Sequence, residues 1–182
     1  MSRLTPQAAA ALLRDQDNLL ILTHRRPDGD TTGCAAALCL ALRQLGRTAF
    51  LLRNPEMTET NAVYVTELWA PEGFAPDFVV SVDIAARSLF FPAAEAYFDR
   101  IGLAVDHHPS FEGFGAHQCV DPSRAACGEI VYEICRELGE VTAEVMRFPL
   151  YSFSFTVPVT CFCVSTAKAW RASRRGVNHL PL

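Results

Sequence analysis

Across its 182 residues the chain has no C-x-x-C pair, no internal repeat, no low-complexity linker and no acidic residue after Glu144. Nor does any apolar run reach the roughly 20 residues needed to cross a bilayer. The missing C-x-x-C removes the structural zinc ribbons and thioredoxin-like motifs that paired cysteines announce. Seven cysteines are nonetheless present, at 34, 39, 119, 127, 135, 161 and 163. Cys34, Cys39, Cys127 and Cys135 sit among alanines and aliphatics at helical spacing, which marks them as small buried hydrophobes in a reducing compartment. The first fifteen residues lack the basic start and long apolar core of a signal peptide. A cytoplasmic protein with no membrane partner is the expectation.

The missing acids have a second consequence. All 20 acidic residues and 11 of the 16 basic ones lie in positions 1–144, which leaves that part at −9 and the remainder at +5. The last segment therefore differs in kind from the body. An acidic body is not the footprint of a duplex-DNA binder, although metal ions can hold a charged substrate on it.

What is present suits one domain, because half of the chain is apolar and 182 residues bury a sizeable core. Thr5 and Pro6 read as the cap and first residue of a helix running to about Asp15. Asn18–Thr23 is a short apolar run of the buried parallel-strand kind. The loop H-R-R-P-D-G-D follows, then a helix from Thr31 to Leu45 closed by Gly46. Residues 48–53, 78–83 and 101–106 read as further strands, with a weaker helix around 92–99. Beyond a cap at Asp121–Ser123, apolar residues at 127, 130, 131, 134, 135 and 138 predict a helix closed by Gly139. A short helix is expected over 142–147. Alternation of strands and helices predicts an α/β fold, a doubly wound and mostly parallel sheet with helices on both faces.

In such a sheet ligands bind outside the carboxyl ends of the strands, and three of those ends carry acids or histidines. The first holds His24, Asp28 and Asp30, the third Asp83, and the fourth Asp106, His107 and His108. Each has a plain explanation by itself. P-D-G-D is good turn chemistry, an aspartate at a strand end often caps a helix, and one histidine of a pair often bonds a backbone carbonyl. Gathered together, carboxylates repel and raise one another's pKa unless a cation neutralises them. Mixed imidazole and carboxylate donors suit manganese, iron, cobalt or zinc better than calcium. A pair of such ions polarises a phosphoryl group and activates water for in-line attack.

The stretches H-R-R-P-D-G-D-T-T-G, V-S-V-D and A-V-D-H-H-P resemble the first three motifs of the DHH phosphoesterase superfamily, which includes RecJ-like exonucleases. V-D-P-S-R-A-A-C-G-E-I-V-Y-E-I resembles the strand and helix that follow in its oligoribonuclease/pAp phosphatase branch. The resemblance implies a DHH catalytic domain over 1–151. It places His24 and Asp28 on one Mn2+, Asp30 and His107 on the other, and Asp83 across both. His108 would face the scissile phosphate as a catalytic residue, and Asp106 would orient a histidine through its other ring nitrogen. Gly29 and Gly33 would allow a tight turn and a close helix start. The implied reaction is Mn2+-dependent hydrolysis of short oligoribonucleotides or of 3′-phosphoadenosine 5′-phosphate (pAp). Expected partners are a short RNA or nucleotide phosphoester, with a homodimer left open.

Members of the superfamily supply one more metal-binding aspartate after an L-Y strand, in a T-D-T-G-like turn. Here P-L-Y at 149–151 is followed by S-F-S-F-T-V-P-V-T, which carries no acid. The second metal is therefore expected to lack a protein ligand and to bind less tightly. Residues 152–182 read as a divergent basic tail, truncated or frame-altered, with the second, smaller domain of relatives absent. Alternatives are a catalytically defective metal- or nucleotide-binding fragment, a cyclic dinucleotide phosphodiesterase and, less favoured, a family II pyrophosphatase.

Overall fold

The structure, a computed structural model, describes residues 1–140 and 142. The helix expected at 142–147, apart from residue 142, and the tail at 152–182 lie outside the described residues. Six strands form one sheet: β1 (Ser2–Arg3), β2 (Leu19–Leu22), β3 (Ala49–Leu51), β4 (Phe78–Val82), β5 (Ile101–Asp106) and β6 (His117–Val120). Their order is β1-β6-β5-β4-β2-β3 and every pairing is parallel. Five helices accompany them: α1 (Pro6–Arg14), α2 (Gly29–Gln44), α3 (Glu59–Ala62), α4 (Pro92–Glu95) and α5 (Cys127–Leu138).

From β2 the chain crosses to β3 on one side, then returns to β4 on the other and continues outward through β5 and β6. The order reverses between β2 and β4, and a crevice at the carboxyl ends of these two strands is the place such a sheet offers a ligand.

Alternation along the strands divides the core. Leu19, Ile21, Val80, Val82, Leu103 and Val105 face one layer, where they meet α1, α2 and α5. Leu20, Leu22, Val79, Ile101 and Ala104 face the other, packed by Phe90, Phe91 and Ala94 at the start of α4 and by Phe114 from the loop between β5 and β6. Long helices thus cover one face, and short turns with aromatic rings cover the other. Cys34, Cys39, Cys119, Cys127 and Cys135 are all buried and free.

Several boundaries differ from those read in the sequence. Thr5 caps α1 as expected, its Oγ1 accepting from the Ala8 amide. Helix α2 starts at Gly29, two residues early, because the Asp28 carboxyl accepts from the amides of Asp30 and Thr31. Gly29 and Gly33 are accordingly helical, and the left-handed turn in this loop falls on Arg26 (φ 48°). The helix expected over 92–99 breaks into α4 and a 3₁₀ turn at Phe98–Arg100. Asp121 does not cap α5. Its carboxyl takes the amide and hydroxyl of Ser123 and the Nε–H of Arg124, and α5 begins at Cys127 with no local side-chain cap. β1 and α3 are too short to show a sequence period.

Candidate metal centre

Strand β2 delivers His24 and Asp28 to the crevice, β4 delivers Asp83, and β5 delivers Asp106, His107 and His108. Side chains from distant loops hold these ends in place. The Asn54 amide donates to Thr23 Oγ1 at 3.1 Å and to the His24 carbonyl at 2.9 Å. Asn61 donates to the Pro27 carbonyl at 3.1 Å, and Thr31 Oγ1 donates to the Val82 carbonyl at 2.9 Å. Sequence inspection passes over both asparagines, since nothing local marks an amide that acts across 30 residues or more.

Asp83 lies at the centre. His24, Asp28 and Asp83 present ligand atoms within 4.8 Å of one another, and so do Asp83, His107 and His108. It is the member common to both groups. Its residue is 3% exposed, and its backbone is left-handed (φ 58°), held by its amide donating to the Val105 carbonyl at 2.9 Å. A non-glycine residue in that region carries strain of about 1–3 kcal/mol, kept by its surroundings. Oδ1 of Asp83 is buried with no hydrogen-bond partner among the described residues. Burial, then the charges of Asp30, Asp106 and Asp28, push this carboxyl up to about 9.

The histidine tautomers follow from their partners. Nδ1 of His24 lies 2.8 Å from the Arg25 carbonyl, and Nδ1 of His107 lies 3.2 Å from the Arg124 carbonyl. A carbonyl only accepts, so each Nδ1 carries a proton and, in the neutral ring, each Nε2 presents a lone pair. Nε2 of His107 is 3.6 Å from Asp83 Oδ1 and 4.0 Å from Asp30 Oδ2. Nε2 of His24 is 3.6 Å from Asp28 Oδ1. With the carboxyls ionised and the imidazoles neutral, lone pairs would face lone pairs, an arrangement that a shared cation resolves. Two donors about 2.1 Å from one ion stand about 3–3.5 Å apart, close to what these pairs present. The donor set and the orphaned Asp83 oxygen fit a divalent metal.

His24 is held above its ordinary 6.5. Burial alone would lower it, but the hydrogen bond its protonated ring donates to Asp28, the Arg25 carbonyl and the charges of Asp28 and Asp30 outweigh that. Asp28 is held below its ordinary value chiefly by His24.

Asp30 and His108 behave differently from the others. Oδ2 of Asp30 accepts from the Cys127 amide at 2.9 Å, and Oδ1 accepts from the Gly128 amide at 3.0 Å. A carboxyl group 97 residues upstream thereby caps α5, in place of Asp121. His108 has its Nδ1 2.7 Å from Asp106 Oδ1, which also accepts the His108 amide at 2.7 Å. Nδ1 thus serves Asp106, and Nε2 is left for other work. Asp106 is fully buried.

Above these groups opens a cleft of about 410 Å³, lined by His24, Arg25, Arg26, Asp28, Asp83, Leu89 and His108. None of the described helices is long and apolar enough to cross a membrane.

A parallel sheet with histidine and carboxyl donors at three strand ends defines a class of α/β domain with a candidate metal centre at its crevice. The chain belongs to the DHH family: residues 18–150 match its N-terminal domain. A bifunctional oligoribonuclease and PAP phosphatase, NrnA, of Thermus thermophilus is 32% identical over 130 residues, covering 70% of this chain and 39% of the relative. The chain thus spans well under half of that protein's length. An exopolyphosphatase-related protein from Bacteroides fragilis shares the fold with a TM-score of 0.75 at 14% identity, over 97% of this chain and 61% of that one. RecJ from Thermus thermophilus in complex with Mn2+ aligns with a TM-score of 0.52 at 15% identity, over 81% of this chain and 23% of its own.

Proposed function

We propose that the chain is the catalytic domain of a Mn2+-dependent phosphoesterase that hydrolyses short oligoribonucleotides, pAp or both. The observation that carries this is Asp83, a buried carboxyl shared by two donor groups, with an oxygen that has no hydrogen bond among the described residues and faces imidazole nitrogens. His24, Asp28 and Asp83 would hold one ion, and Asp83, His107 and Asp30 the other. When bound, such ions supply Lewis acidity toward a phosphoryl oxygen and lower the pKa of water. The chain's own groups do the rest. Asp106 accepts from His108 Nδ1–H and so orients the ring, and Nε2, when it carries a proton as well, would donate to a phosphoester oxygen. The carbonyls of Arg25 and Arg124 keep the lone pairs of His24 and His107 turned inward. Similarity to the Thermus NrnA supports the choice of substrates.

The test is hydrolysis of pAp and of 5′-phosphorylated diribonucleotides by the purified chain with Mn2+ and with a chelator. Turnover that depends on Mn2+ and disappears in Asp83→Ala supports the proposal. Turnover that survives chelation sinks it.

A second reading, a domain that binds metal or nucleotide without turnover, is favoured by the absence of acids after Glu144. It prevails if Mn2+ and pAp bind, no product forms, and Val157→Asp together with a following substrate-binding domain restores hydrolysis.

A further inference from the structure

Two arginines line the cleft, and they are used differently. Arg25 is committed: its guanidinium pairs with Glu56 at 3.8 Å, its amide donates to the Leu89 carbonyl at 2.7 Å and its carbonyl receives His24. Arg26 is exposed and has no ion pair or hydrogen bond among the described residues, although it lines the same cleft as Asp28, Asp83 and His108. Pro27, the next residue, is buried and its carbonyl is held by Asn61. Arg26 therefore stands on a fixed rim while its side chain stays available.

We propose that Arg26 is a substrate-positioning residue, and that it binds a second, non-reacting phosphate of the substrate while the metal centre holds the reacting one. This rests on the phosphoesterase function proposed above and names the residue that would hold the second phosphate of a substrate such as pAp. The carboxyl groups of the cleft repel an anion unless ions cover them, and ions at the donor set can serve only the phosphate that reaches them. A distant phosphate needs its own cation. The guanidinium fork matches a phosphate through two parallel hydrogen bonds, which an ammonium cannot do. The cleft, at about 410 Å³, falls in the range of small-molecule sites, about 300–1,000 Å³.

The experiment compares wild type, Arg26→Ala and Arg26→Lys on pAp, which has two phosphates, and on bis(p-nitrophenyl) phosphate, which has one. Loss of a charge-assisted bidentate contact should cut the preference for pAp, as a ratio of kcat/KM values, by about tenfold or more. The change should appear mainly in KM, with Arg26→Lys intermediate. Equal losses on both substrates would indicate a structural role and overturn the proposal, as would an unaltered ratio. If the wild type hydrolyses neither substrate, the phosphoesterase function fails and Arg26 is judged by calorimetric binding of pAp in the presence of Mn2+. Weaker binding by Arg26→Ala then supports it. Equal binding, or no binding to the wild type, overturns it.

Discussion

At the scale of single residues, Asp83 dominates the metal-free protein. Its folded-state pKa of about 9 stands above the ordinary 3.8, so between these values the native state binds a proton that the unfolded chain has released. Stability of the chelated protein should therefore fall as pH rises across that window. Asp83→Asn should flatten the slope, which urea denaturation at several pH values will measure. His24 gives a second pH signature. A metal must displace its proton, and its raised pKa means that Mn2+ affinity should begin to fall above pH 6.5 on acidification. In Asp28→Asn that midpoint should shift to lower pH, even as total affinity drops, in a Mn2+ titration. Asp83 was legible as a candidate because V-V-S-V-D ends an apolar run. Its left-handed backbone was not, because the Val105 carbonyl that accepts the Asp83 amide lies on another strand. Gly29 misled for the reverse reason: the residue best able to turn went into a helix once Asp28 capped it.

Among elements, α5 is the one whose role sequence reading underestimates. Its apolar period was plain, and the buried residues Cys127, Ile130, Val131, Ile134, Cys135 and Leu138 are those the period selects. Its start was not, since its cap is Asp30. Asp30→Ala should leave two buried amides without acceptors, at about 1–3 kcal/mol for each such group. Its thermal transition should fall even with chelator present, while Asp30→Asn should lose less. The segment before α5 carries the other anchor. Arg124 binds Asp121 at 2.9 Å and Glu133 at 2.8 Å, and its carbonyl orients His107. Arg124→Ala should weaken Mn2+ binding by about tenfold, the low end for groups that orient a metal ligand. Calorimetry on the variant checks this, and unaltered affinity would show that the backbone holds the carbonyl without the clamp.

For the whole molecule, the parallel sheet and its carboxyl-end crevice were readable because buried parallel strands appear as continuous apolar runs. The covering of the second face by Phe90, Phe91 and Phe114 rather than by long helices was not, because rings scattered over loops have no period. Metal should act on the molecule as a unit. At Mn2+ concentrations near 100 times Kd, stability should rise by about 2.7 kcal/mol, or about 5–10 °C in Tm for a domain of this size. Scanning calorimetry with and without chelator measures it, and the same addition should leave Asp83→Ala nearly unmoved.

The long reach from Asp30 to the start of α5 also sets an order in time. His24, Asp28 and Asp30 emerge together early in synthesis, but Asp83 and His107 follow much later, and Asp30 gains its amide partners only when Cys127 and Gly128 arrive. Contacts so far apart in sequence close late in folding. Metal capture should therefore be among the last events on the folding path, and the kinetics of Mn2+ uptake during refolding would serve as a clock for completion of the domain.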